Sequence, residues 1–357
     1  MNLAKDYDVI IVGAGPAGCM TAINLHCKFK VLMIDRAVLP RDKGCAGMLK
    51  PEAFTLLKKY GLPEEVLSHP RSLTPRGIDL SSGRELVAPF RYYNADRREL
   101  DRWLLELARD NPKVEILGKA HLVNLREADG VVEVGIRRNG TETKLTCGFL
   151  VGADGASGAV GRAVCSIRPK TATCLLETVE TAEEIDLTEF IGFIGRDIPY
   201  YHWVVPKADR IQVGAAFPPG ETGYPQRYML FKEVALGKLR LSELSSTPPK
   251  GWLITMLHSM SEICPGRGRI LLAGEAAGLI DPSILEGITY ALKSGELCAG
   301  AINADPSNPL PAYSSSLKPI YRKVFKQLLL FKVYRSKLLR LAAQRVIPQV
   351  KIARTRD

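Results

Sequence analysis

Apolar and polar positions follow two rhythms along this chain, and the change of rhythm divides it. The first forty residues read strand, glycine turn, helix, strand. Residues 8–12 are a β-branched run, 16–29 carry Ala17, Ala22 and Leu25 among good helix formers, and 30–35 (KVLMID) form a second short apolar strand. Strands alternating with helices predict a parallel sheet. Residues 40–48 (PRDKGCAGM) are a polar loop, 51–60 a helix closed by Gly61, and 97–110 an amphipathic helix with Leu100, Trp103, Leu104 and Leu107 on one face. Short strands are predicted at 114–117 and 121–125, and a hairpin of 131–137 with 143–147 around Asn139-Gly140. Residues 149–152 read as a buried strand entering the turn ADGASG.

Between about residues 168 and 261 the period shortens. Strand-like runs at 173–179, 190–194, 201–205, 211–217 and 252–257 surround one helix at 224–236. This predicts an antiparallel β layer inserted in an α/β chain. The α/β rhythm returns with a strand at 270–273 and a helix at 287–301, and the chain is helical again from Leu317. The expected fold is α/β. A Rossmann-like domain is assembled from residues 1–70, 93–165 and 265–316, a β-sheet domain from 71–92 and 166–264, and a basic helical segment from 317–357.

Composition adds limits. At 357 residues, 46% hydrophobic and 24% charged, the chain has material for two domains and a core without staples. None of its eight cysteines forms Cys-x-x-Cys, which argues against a zinc or thioredoxin-type motif. The N-terminal residues run straight into a strand without a signal-peptide pattern, so reduced thiols and a cytoplasmic location are expected. No run of about 18 apolar residues predicts a membrane span. Charge is uneven: from Leu317 onward there are twelve Lys/Arg and one acid, a net +11 that equals the formal charge of the whole chain.

The candidate chemistry begins at Gly13-x-Gly15-x-x-Gly18. The first glycine permits a tight turn, the second lets backbone approach a pyrophosphate, and the third lets helix and strand pack closely. The helix N-terminus offers unpaired N–H groups to phosphate. Asp35 ends the next strand, 17 residues beyond Gly18, where an acid suits ribose hydroxyls. Two later segments repeat an apolar strand, a glycine turn and an acid: FLVGADGASGAVGRAV at 149–164 and RILLAGEAAGLIDPSILEGITYALKSGELCAGAI at 269–302.

In this order, the three segments resemble the FAD-binding signatures of p-hydroxybenzoate-hydroxylase-like flavoproteins. The loop PRDKGCAGML at 40–49, the helix RRELDRWL at 97–104 and YHWVVPKADRIQVGAAFP at 201–218 are similar to elements of the geranylgeranyl reductase family, and in particular of its short enterobacterial branch linked to colicin M resistance. The likeness extends to about residue 340. It implies that Gly13, Gly15, Ala17 and Gly18 hold the pyrophosphate of FAD, that Asp35 and Arg36 meet the adenosine end, and that Arg97 reaches the phosphate and ribityl region. It also implies that Asp154 lies near the pyrophosphate and that Gly274 and Glu275 meet the ribityl chain. Asp281, Glu286, Gly287 and Ile288 would then pass beside the flavin ring, and Cys45, Ala46 and Gly47 near its reactive face. Four residues depart from the pattern: Glu275 replaces the usual Asp, Ala46 stands in a loop usually richer in glycine, and Ile284 and Leu285 occupy a turn usually richer in glycine.

Cys45, Tyr201 and Trp203 are the candidates for catalysis or the substrate pocket; the alternative is a small packed thiol for Cys45 and ordinary sheet packing for Tyr201 and Trp203. Lys207 reads as solvated, and His202 points away from its two neighbours on a regular strand. The resemblance implies reduction of carbon–carbon double bonds in a prenyl or other apolar substrate. The alternatives are a flavin-dependent monooxygenase and a non-catalytic FAD-binding accessory protein. No second complete dinucleotide fold is evident, so the electron donor is NAD(P)H bound transiently or a ferredoxin-type protein. The basic tail mixes apolar and cationic residues at helical spacing. The bland reading is a packed helix with a solvated basic face; the sharper one is peripheral membrane contact. Nothing else supports nucleic-acid binding.

Overall fold

The computed structural model describes residues 5–195 and 198–335. It divides by contact into two compact units: the chain up to Arg41, Leu100–Lys170 and Thr255–Phe331 form the first, and Asp42–Glu99 with Thr171–Ile254 form the body of the second. Residues 42–70 and 93–99, grouped in the sequence with the nucleotide-binding segments, fall in the second unit.

The first unit is built on five parallel strands in the order Val114–Leu117, Val31–Ile34, Tyr7–Val12, Thr141–Gly152 and Ile270–Leu272. A sheet covered on both faces needs apolar residues facing both ways. Val9, Ile10, Ile11 and all four residues of Val31–Ile34 are fully buried. The two strands expected at 143–147 and 149–152 are one continuous strand. Its first half pairs with Val131–Arg138 across Asn139-Gly140, both at positive φ, and its second half joins the parallel sheet. The helix after the glycine turn, Pro16–Asn24, stops short of residue 29 because Leu25 is extended. In the Arg97–Arg109 helix, Leu105 and Asp101 are buried more deeply than Leu107, so the buried stripe is rotated from the expected one.

The second unit holds a sheet in the order Glu243–Ser246, Lys170–Thr181, Arg210–Phe217, Ile198–Lys207, Glu189–Gly195, Leu67–Asp79, Tyr92–Ala95 and Met48–Leu49. It is antiparallel as expected, except that Glu189–Gly195 runs parallel to Leu67–Asp79. These two strands are joined through more than a hundred residues, so no hairpin fixes their direction. Helix Tyr224–Leu239 covers one face, placing Tyr228, Phe231, Ala235 and Leu236 on Val179, Ile191, Phe193, Val204 and Val213. No helix among the described residues is long and apolar enough to cross a membrane.

That helix is also held by charge. Lys232 Nζ lies 3.1 Å from Glu177 Oε1 and 2.7 Å from Glu243 Oε2, and Tyr228 donates to Glu177 Oε1 at 2.9 Å. Glu177 is 3% exposed, so its charge depends on these partners. Removing one partner of a buried pair costs about 3–5 kcal/mol, because the other stays buried and uncompensated. Lys232→Met is therefore expected to lower unfolding stability by roughly that amount in urea titrations, and Glu177→Gln in the same chain to restore part of it.

Candidate functional site

The glycine turns meet where the parallel strands end. Strands Tyr7–Val12 and Thr141–Gly152 are neighbours, so the residues that follow them emerge side by side. Gly13, at φ +109, runs so close to the next turn that a Cβ would sit 2.3 Å from Ala153 O and 2.9 Å from Asp154 N. A Cβ on Gly18 would lie 1.8 Å from Gly13 O. The third segment joins through small residues: a Cβ on Gly274 would come within 3.1 Å of Ala17 Cβ, and one on Gly161 within 3.0 Å of Ala276 O. Gly13, Gly15, Ala17, Gly18, Asp154 and Gly274, proposed from sequence, are thus assembled in one place.

The acids have defined partners. Asp35, 6% exposed, accepts Ala14 N–H at 2.8 Å through Oδ2 and Ala37 N–H at 2.8 Å through Oδ1, tying the second strand to the glycine turn. Arg36 Nη2 reaches Ser157 Oγ at 3.4 Å. Asp154 accepts Val160 N–H at 3.0 Å through Oδ2, while its Oδ1 is buried and unpartnered. Burial raises the carboxyl above its ordinary range. Gly158 makes room for it, since a Cβ there would lie 2.1 Å from Asp154 Oδ1. Glu275 Oε1 accepts Thr255 N–H at 3.0 Å.

The segment 281–288 is a closed turn. Asp281 N–H donates to Glu286 O at 2.9 Å, Asp281 Oδ1 accepts Ser283 N–H at 3.0 Å, and Glu286 Oε1 accepts Thr289 N–H at 2.7 Å. Gly287 caps the Ile288–Ala304 helix and stands against Glu275, whose Cγ would be 3.6 Å from a Cβ at 287.

Arg41 was not singled out by sequence. Its Nη2 donates to Asp101 Oδ2 at 2.9 Å, its Nη1 lies 3.7 Å from Asp35 Oδ2, and its guanidinium lies 2.7 Å from where a Gly15 Cβ would be. The guanidinium thus stands beside Gly15, paired with two carboxylates, where it would face a phosphate brought to the turn. The only signal for it was an arginine six residues after Asp35. These residues fit FAD: the cradle excludes side chains and offers a helix N-terminus and a guanidinium to phosphates.

The remaining candidates lie in the second unit. Gly47, at φ +70, leaves no room for a side chain, because a Cβ would meet Ala95 O at 2.0 Å. Its N–H donates to Cys45 Sγ at 3.4 Å and its carbonyl accepts Ala95 N–H at 3.0 Å. Ala46, between them, is partly exposed. Arg97 opens a helix that Asp96 caps, its Oδ1 accepting Arg98 N–H at 2.8 Å and Glu99 N–H at 3.1 Å. Trp203, 7% exposed, lies across Gly214 on the paired strand. The side chain of Tyr201 lies outside the described residues. His202 packs between Phe217 and Phe231, with ring centroids 5.3 and 4.6 Å away.

Lys207 corrects the expectation of a solvated side chain. Nζ donates to Asn94 Oδ1 at 2.5 Å and Ala95 O at 2.8 Å, and would lie 3.1 Å from a Cβ at Gly47. Asn94, fully buried, donates its amide to Pro70 O at 3.0 Å and Pro206 O at 2.9 Å, which fixes its oxygen toward the lysine. Burial lowers the Lys207 pKa to about 7, against the pull of Asp96 and Cys45 and with the push of Arg97. Cys45 Sγ and Lys207 Nζ thus both lie against Gly47. The sequence placed Lys207 in the element 201–218 but gave no sign of its burial, because the buried asparagine that receives it is over a hundred residues away.

A sequence profile of the FAD binding domain family matches residues 6–235. Protein CbrA of Escherichia coli O6:H1 (strain CFT073) is 27% identical over 335 residues, covering 90% of this chain and 88% of the relative. A geranylgeranyl bacteriochlorophyll reductase-like protein from Thermoplasma acidophilum has a similar fold, with TM-score 0.74 at 21% identity over 92% of this chain and 87% of the other. Aklavinone-11 hydroxylase, solved with FAD and aklavinone, is similar at TM-score 0.64 and 19% identity, over 85% and 63% of the two chains.

Two glycine substitutions separate backbone geometry from ligand contact. Gly18→Ala forces backbone apart at Gly13 and is expected to yield protein without flavin and with a lowered Tm. Gly15→Ala meets only the movable Arg41 side chain, so the apoprotein is expected to keep its Tm while FAD affinity falls about tenfold, roughly 1.4 kcal/mol. Flavin fluorescence titration and thermal melts of the apoproteins check both.

Proposed function

Since the chain belongs to the FAD binding domain family, we propose that it works as an FAD-dependent oxidoreductase that reduces carbon–carbon double bonds of a prenyl or similarly apolar substrate. FAD, when bound, supplies hydride chemistry from its reduced ring. The chain's own residues do the rest. Gly13, Gly15, Gly18 and Arg41 would hold the pyrophosphate, Asp35 the adenosine ribose, and Asp154 and Glu275 hydroxyls further along. The observation that carries the reading is the cluster at Gly47. A double-bond reduction requires a proton at the second carbon, and Cys45 Sγ and Lys207 Nζ are two groups able to donate one, both held against Gly47.

A general acid is most effective when its pKa lies near the working pH, and Lys207, with a pKa near 7, meets that condition. Trp203 would supply apolar wall. The electron donor we assign to NAD(P)H or a ferredoxin-type protein. The fold likeness to a hydroxylase favours a second reading, a monooxygenase, and the same assay separates the two.

The protein, reduced chemically without oxygen, is incubated with geranylgeranyl diphosphate and the product weighed by mass spectrometry. Gain of hydrogen pairs is expected, with Cys45→Ala or Lys207→Met lowering the rate about a hundredfold. The Lys207→Met profile should lose a pH limb near 7. Gain of an oxygen atom in NAD(P)H-driven aerobic turnover sinks the reductase reading, and no turnover with any donor favours a non-catalytic accessory.

Lys207 also sets a stability trend. Between pH 7 and the ordinary lysine value of 10.5, the unfolded chain holds a proton that the folded chain has released. Stability then rises with pH across that window and is flat with respect to this group below it. The urea midpoint of wild type should therefore rise relative to that of Lys207→Met as pH goes from 7 to 10.5, and an unchanged difference across that window counts against the lowered lysine pKa.

A further inference from the structure

Helix Lys318–Arg335 has two faces with different tasks. Ile320, Val324 and Leu328 are 6%, 0% and 4% exposed, and they face the first unit. Gln327 Oε1 accepts the Tyr290 hydroxyl at 2.6 Å, and its amide donates to Asp281. This inner face explains why the segment is held as a helix. It leaves the outer face without an internal task.

That outer face is neither polar nor random. Phe325, Leu329 and Leu330 are 52%, 53% and 66% exposed. Lys318, Arg322, Lys326 and Lys332 are exposed among them, and residues 318–332 contain no acid. Helical spacing places Arg322, Lys326 and Leu330 on one row and Phe325 with Leu329 on the adjacent row. Single exposed apolar residues are ordinary, but three neighbours ringed by cations are not.

We propose that the outer face of Lys318–Arg335 is a docking surface for an anionic phospholipid bilayer. Charge complementarity selects this occupant. Headgroup phosphates neutralise a row of Lys and Arg that carries no compensating acid, while Phe325, Leu329 and Leu330 enter the boundary between headgroups and chains. The long basic side chains bury their stems and keep their charges among the headgroups. The helix lies flat, because its inner face remains packed on the fold. The proposal is independent of the reaction proposed above, since surface binding needs no turnover.

The test is sedimentation of the full FAD-loaded chain with vesicles of phosphatidylcholine alone or mixed with phosphatidylglycerol. Sedimentation with the mixed vesicles, weakening as salt is raised, and at least tenfold weaker association with phosphatidylcholine are expected. Arg322→Glu with Lys326→Glu, both at exposed positions, should lower binding to mixed vesicles at least tenfold while flavin content stays unchanged. Phe325→Ser with Leu329→Ser and Leu330→Ser should lower it comparably. Equal binding to both vesicles, no binding to either, or undiminished binding by the charge-reversal variant overturns the proposal. So does self-association in sedimentation equilibrium that the serine variant abolishes, because the face is then an interface between copies.

Discussion

The first unit depends on main chain running against main chain with nothing between. At Gly13 the separation leaves no room for one carbon atom, and the obstacle is the carbonyl of Ala153, which cannot swing aside as a side chain would. This contact follows from topology. Two adjacent parallel strands end together, so their turns must pass each other. The same condition recurs deeper, where a Cβ on Gly295 of the Ile288–Ala304 helix would stand 2.3 Å from Ala17 O. Close approach brings the N-terminus of the glycine-turn helix to the end of the sheet, where its N–H groups would face an anion. Asp35 and Arg41 then add charge to a geometry that the glycines have already set.

The second unit reaches precision by polar satisfaction. Asn94 is fully buried, and every polar atom of its amide has a named partner on another strand or on Lys207. Losing any one partner would strand a buried polar group, at a cost of about 1–3 kcal/mol. The network therefore fixes Lys207, Ala95 and the Gly47 turn together, and Cys45 with them through the Gly47 N–H. A lysine held this way cannot be exchanged for a solvated one. Its lowered pKa comes from the same burial that positions it.

The legible part of this chain is the part governed by local rules. Strand periodicity found most of the strands, and the glycine spacing with Asp35 located the dinucleotide turn, because both depend on residues within about thirty positions. What escaped depends on partners far apart in sequence. Arg41 gains meaning from Asp101, and Lys207 from Asn94, and neither pairing has a spacing that sequence could reveal. The parallel pairing of Glu189–Gly195 with Leu67–Asp79 is a further case, since hydrophobic alternation is identical for either strand direction. The helix at 97–109 shows an intermediate failure. Its period was right, but a buried Asp101 shifted the stripe, and an acid is counted as outward-facing until its arginine is known.

The departures from the family pattern can be weighed in the same terms. Leu285 adopts φ +55 in a turn where glycine is usual. A left-handed conformation costs a branched side chain roughly 1–2 kcal/mol. Leu285 is only 9% exposed, and burying a leucine side chain contributes about 1.5–3 kcal/mol. Burial thus offsets the backbone strain, and the leucine stabilises the turn as well as a glycine could, while occupying space a glycine would leave open. Glu275 is similar. One of its carboxylate oxygens accepts the Thr255 N–H, which tethers the turn to Thr255. Both substitutions spend side-chain volume on holding turns near the cofactor cradle. They leave the glycine contacts that define the cradle untouched, so side-chain volume changes beside the cradle without altering the main-chain geometry that forms it.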